Sequence, residues 1–182
     1  MSVRSLVAPL VIAASLVPYA LSPHPVAAET ISPADVTAGS DLPAPITRGV
    51  NHIGFTVSDL DGTTSLFTDT LGWREVGGDP SYPARFVTDG AAFVTLWQAT
   101  EPERAVAFDR KHNVGLHHFA MTVPDLETLE ALHKTLLAHP KVQVEFGPEL
   151  NGNGPTIHMM VKGPSGLRLE FAVPGGRRRA SE

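Results

Sequence analysis

Residues 49–71 read GVNHIGFTVSDLDGTTSLFTDTL, and residues 115–137 read GLHHFAMTVPDLETLEALHKTLL. Laid over one another without a gap, the two stretches agree at a Gly, a His, a Thr, a Val, an Asp and three Leu positions. Such agreement marks a duplicated supersecondary unit, and only two copies fit the chain, which excludes a solenoid. Each copy opens on the period-two alternation of a strand with one buried face. Ile53, Phe55 and Val57 share that face in the first copy; Phe119, Met121 and Val123 share it in the second. Asp59 and Asp125 follow where a helix N-cap stands, and Leu66, Leu71, Leu129, Leu132 and Leu136 supply helical spacing.

Three short apolar runs punctuated by Gly, Pro and Asp come after each helix: 73–78, 83–88 and 91–98, then 141–146, 156–162 and 166–173. The order βαβββ therefore occurs twice. An α+β domain over 48–174 is expected, made of modules 48–98 and 115–174 joined by 99–114.

Outside the repeat the composition changes. Residues 1–28 carry Arg4, the apolar run LVAPLVIAASLVPYAL and the small residues Val26, Ala27 and Ala28, the pattern of a secretory signal peptide. Export to a periplasm or the exterior is the expectation. Pro9 and Pro18 interrupt a run already shorter than the roughly 20 residues a spanning helix needs, so no stable membrane insertion is expected after cleavage. Residues 29–47 read as a flexible linker and 175–182 as a basic tail. A formal charge of −5 provides no broad basic field, which argues against nucleic acid as a partner. The absence of cysteine excludes disulfides and thiolate chemistry.

Strand alternation selects the candidate ligands. If Ile53, Phe55 and Val57 pack beneath a helix, His52, Gly54 and Thr56 face the other way. The same test sends His118 outward with Ala120 and Thr122, and His117 inward with Phe119. In the last strand Leu167, Leu169, Phe171 and Val173 form the apolar face, leaving Arg168, Glu170 and Ala172 beside the histidines. His52, His118 and Glu170 on one concave surface suit a divalent ion, Fe(II), Mn(II), Ni(II) or Zn(II), with positions left for water or substrate. Phe93 and Trp97 share a strand face, as substrate walls or ordinary packing, and Arg168 either meets an anionic substrate group or sits at the rim.

The stretches NHIGFTVSDL, GLHHFAMTVPDL and GPSGLRLEFAV resemble the vicinal oxygen chelate superfamily, which holds glyoxalase I, extradiol dioxygenases, fosfomycin-modifying transferases and bleomycin-resistance proteins. The resemblance spans residues 48–174. It implies a half-open, cup-shaped mixed sheet with the helices outside and a metal ion chelating two oxygens of a small substrate. The family's first-strand histidine falls on His52, its second-module counterpart on His118 and the terminal glutamate on Glu170. Thr95 stands where glyoxalase I has a carboxylate, which puts isomerisation of that type in doubt and leaves Thr95 with Phe93 and Trp97 as candidate substrate contacts. A His, His, Glu set resembles that of extradiol dioxygenases and the fosfomycin transferases. His158, alternating with Ile157 and Met159, is either an acid or base facing the cup or a partly exposed strand residue. The expectation is thus a metal-dependent dioxygenase or a lyase or isomerase; the alternative is a protein that sequesters a drug or metabolite without turnover. In this superfamily the modules pair within one chain or across a homodimer.

Overall fold

A computed structural model describes residues 46–176; the expected signal peptide, nearly all of the linker and most of the basic tail lie outside the described residues. The elements run β1 (Ile53–Val57), α1 (Leu60–Ser65), a π-helical turn (Leu66–Thr70), β2 (Arg74–Asp79), β3 (Ala84–Thr88) and β4 (Phe93–Gln98). After the connector come β5 (Phe119–Thr122), α2 (Leu126–Leu137), β6 (Gln143–Leu150), β7 (Ile157–Lys162) and β8 (Arg168–Val173). Two four-stranded sheets result, in the orders β1-β4-β3-β2 and β5-β8-β7-β6. In each, the first strand pairs parallel to the last and the other pairings are antiparallel. The expected pair of tandem βαβββ modules is the fold.

Local chemistry sets the ends of these elements. Asp59 Oδ1 accepts from Gly62 N at 3.0 Å, and Asp125 Oδ1 from Thr128 N at 2.8 Å, so both repeats start their helix on an aspartate cap. The first helix is short because Thr63, Thr64 and Thr68 turn their hydroxyls back onto carbonyls four residues earlier, a bond that competes with regular helix. It passes into a π turn, closed by Leu71 N on Leu66 O at 3.0 Å. Strand β4 begins at Phe93, two residues later than expected, because Asp89 Oδ1 accepts from Ala91 N and Ala92 N and holds them in a turn.

Two apolar clusters fill the space between helices and sheets. One gathers Phe55, Phe67, Trp73 and Leu96; the other gathers Leu129, Leu136, Met159 and Phe171. They are stitched together. Leu66, which belongs to the first repeat, is buried in the second cluster, while its neighbour Phe67 is buried in the first. Phe119 and Met121 pack against both clusters, and the Phe55 and Phe119 rings lie 5.7 Å apart.

Polar contacts reinforce that junction. Ser165 stands at φ 63°, a left-handed conformation unusual for a residue other than glycine. Its Oγ accepts from the backbone N–H groups of Ser58 and Asp59 at 3.0 and 2.9 Å, just ahead of α1. Lys141 Nζ meets Asp59 Oδ2 at 2.7 Å from the same side.

Candidate active site

The outward face of the second sheet gathers the titratable groups. Glu170, 8% exposed, sits in β8 between two imidazoles: His158 Nδ1 donates to Oε1 at 2.5 Å and His118 Nε2 lies 2.9 Å from Oε2. His158 reaches the carboxylate diagonally, since its in-register neighbour is Ala172 and Glu170 pairs with Met160. Phe146 backs the His158 ring at 5.0 Å. Arg168, at the start of β8, donates through Nε to Glu145 Oε2 at 2.8 Å.

His117 departs from expectation. Strand alternation sends it inward, but β5 begins only at Phe119, and His117 is exposed, with its Nδ1 2.8 Å from His118 Nδ1 and 3.4 Å from the Arg168 guanidinium. Partial loss of surrounding water, and then the Arg168, His118 and Arg110 charges, push its pKa below the ordinary imidazole value. Because Glu170 Oε2 accepts, the His118 Nε2 at 2.9 Å from it donates, and which of the two facing Nδ1 atoms carries the shared proton follows from the tautomer.

The outward face of the first sheet is aromatic. His52, exposed, contacts Asn51 Oδ1 at 2.8 Å and the Phe93 ring at 6.3 Å. Thr95, only 6% exposed, accepts from Trp97 Nε1 at 2.9 Å, so its hydroxyl anchors the indole and lies beneath it. Phe86 and Tyr82 extend the ring cluster around Trp97. These two were missed from sequence because Tyr82 lies in a turn and Phe86 reaches the rings only through the β3–β4 register. The alternation of ARFVT was the available signal.

His118 and Arg168 also border a cavity of about 430 Å³ whose other walls include Gly54, Thr56, Ser165 and the connector residue Phe108. Thus the structure brings His118, His158 and Glu170 together, with Arg168 adjacent, and keeps His52 with Phe93 on the other sheet. Among the described residues of one chain no group of three His, Asp or Glu side chains is arranged to hold a metal ion.

Comparison with known proteins bears on this geometry. Residues 49–171 match the model of the Glyoxalase/Bleomycin resistance protein/Dioxygenase superfamily. The chain belongs to this superfamily. It is 27% identical over 161 residues to a 2-epi-5-epi-valiolone epimerase from Actinomyces sp., an alignment covering 76% of this chain and 85% of that protein. The fold matches a glyoxylase/bleomycin resistance protein/dioxygenase domain from Frankia sp. EAN1pec, with TM-score 0.60 and 21% identity over 74% of this chain and 96% of that one. It also matches a point mutant of the fosfomycin resistance protein FosX from Listeria monocytogenes, complexed with Mn(II) and 1S,2S-dihydroxypropylphosphonic acid. There the TM-score is 0.57 and the identity 13%, over 71% of this chain and 94% of that one.

Proposed function

We propose that the protein is a metal-dependent enzyme that moves a proton on a small oxygen-rich substrate, as an epimerase, isomerase or lyase. The observation that carries this reading is the Glu170 carboxylate shared by His118 and His158. His118 and Glu170 would hold the ion, Fe(II), Mn(II), Ni(II) or Zn(II), and in a homodimer the partner subunit's His52 would complete the set. Bound there, such an ion would supply Lewis acidity, which acidifies a C–H beside a substrate oxygen. His158, half-buried and held by Glu170, takes or returns the proton. His117 orients the His118 ring, and Arg168, braced by Glu145, closes the rim. The epimerase relative supports proton transfer over extradiol ring cleavage, the other reaction such ligands serve.

Metal loading tests the reading. Wild-type protein is expected to retain about one equivalent per chain, and His118→Ala or Glu170→Gln to retain less than about 0.1. Equal retention by the variants and wild type sinks it. Co-refolding His52→Ala with Glu170→Gln tests the homodimer: each mixed dimer regains one intact site, restoring about a quarter of wild-type metal content. A site built within one chain regains nothing. The aromatic first sheet favours a second reading, sequestration without turnover, which predicts ligand binding that is indifferent to all of these substitutions.

A further inference from the structure

We propose that the crevice between the connector and the second sheet holds a phosphoryl group carried by the substrate, with Arg110, Lys111, Lys162 and Arg168 as its cationic walls. This names a class of substrate, a phosphate monoester, and so rests on the function proposed above.

A cavity of about 350 Å³ opens there, and those four cationic side chains line it against two carboxylates, Asp109 and Glu145. The chain as a whole carries a formal charge of −5, so this local excess of cations runs against its composition. Neither carboxylate forms an ion pair with Arg110 or Lys111. Asp109 is spent on its own turn: Oδ1 accepts from Lys111 N at 2.8 Å, and Oδ2 lies 2.7 Å from His112 Nδ1. Its N–H donates to Asn113 Oδ1 and its carbonyl oxygen accepts from Asn113 N, both at 2.7 Å. These bonds close residues 109–113 into a turn that holds the backbone of Arg110 and Lys111 in one shape.

On the sheet side, Arg168 and Lys162 stand opposite one another in the β7–β8 register. Glu145 Oε2 accepts from Arg168 Nε at 2.8 Å, while its Oε1 lies 3.9 Å from Lys162 Nζ. One carboxylate therefore sets the direction of a guanidinium whose side chain is only 12% exposed, and no carboxylate among the described residues takes its Nη edge. Such an edge matches two oxygens of a tetrahedral anion. Charge chooses the occupant: four cations against two carboxylates leave an excess that a ligand carboxylate would half balance, whereas a phosphoryl group brings about two negative charges. Ala107, Phe108, Gly166 and Arg168 also wall the larger cavity that reaches His118. A phosphoryl group in the smaller cavity thus puts the rest of its molecule beside His118, at the imidazoles gathered around Glu170.

The test uses metal-free full-length protein at about pH 8, where a phosphate monoester is a dianion because its second pKa is about 6. Glycerol 3-phosphate, inorganic phosphate and glycerol are titrated by calorimetry. Glycerol 3-phosphate is expected to bind saturably, inorganic phosphate more weakly and glycerol not at all. The double variant Arg110→Gln, Lys111→Gln is expected to weaken the ester about tenfold. Its metal uptake and urea midpoint should not change, because both side chains are exposed. Lys134→Gln, at an exposed position of α2, is the control and should leave binding as it is. No saturable binding of the ester, or an equal loss from Lys134→Gln, overturns the site. Inorganic phosphate binding as tightly as the ester overturns the substrate assignment, since the crevice then reads a free anion. Failure here with metal uptake intact leaves the metal site standing. Loss of metal uptake with ester binding intact removes the enzyme reading alone.

Discussion

The two modules carry the same strands in the same order and present opposite chemistry outward. Thr95 and Glu170 hold equivalent places, each in the last strand of its module and each opposite a small residue of the first strand, Gly54 and Ala120. Both are nearly buried and both spend their side chain on a ring: Thr95 on the Trp97 indole, Glu170 on two imidazoles. A hydroxyl at this position anchors an aromatic surface; a carboxylate gathers two imidazoles. Duplication provided one scaffold, and a single position in it sets two different outward faces, aromatic on one sheet and titratable on the other. What the modules keep in common is the inward face, where Val94 and Leu96 in one correspond to Leu169 and Phe171 in the other, all buried.

That contrast can be broken at graded cost. The largest effect should come from Leu66→Ala, which empties a place that a first-module residue fills in the second cluster. We expect a loss of about 2–5 kcal/mol in urea unfolding, shared by both sheets. A loss confined to signals from the first module would show that the modules are held independently. Thr95→Val keeps volume and removes the hydroxyl. Here about 1 kcal/mol is expected, with the Trp97 indole resonance moving and metal uptake unchanged. A Trp97 resonance that stays in place would show that the Thr95 hydroxyl is not its anchor.

The smallest effect concerns Asp59. Its pKa is lowered by the Lys141 ammonium, then by the Gly62 N–H. A lowered carboxylate pKa means stability that is present above the ordinary value of 3.8 and is lost as the pH falls through the folded-state value. Because the side chain is 38% exposed, screening limits the ion pair to a few tenths of a kcal/mol. Asp59→Asn should flatten the dependence of the urea midpoint on pH in the acid range, and salt at about 1 M should shrink the wild-type dependence. An unchanged slope in the variant would remove Asp59 from the acid response.

The repeat and its alternation made the fold legible, because period-two patterning and aspartate caps are local signals that survive in each copy. The equivalence of His52 with His118, and the outward direction of Glu170, came from the same source. What was not legible depends on register and docking. His158 meets Glu170 only because β7 and β8 pair with His158 two residues out of line, which no single strand's pattern encodes. His117 escapes its alternation because the strand starts after it. His52 stands with Phe93 on the first sheet, and how that sheet docks on the second, whose core takes Leu66, is a tertiary fact that no local pattern carries. Sharing a face in each module is thus different from sharing a site in one chain.

The Ser165 hydroxyl gives these docked halves a mechanical character. A backbone forced into the left-handed region is tolerated at a cost of order 1–3 kcal/mol because the surroundings over-determine it. Here the surroundings are the Ser58 and Asp59 amides of the other module. Pulling the modules apart would uncover the start of α1 at the moment the hairpin lost its reason to stay bent. Ser165 is therefore a latch whose two sides must let go together, and a chain built this way should come undone as one body and not as two.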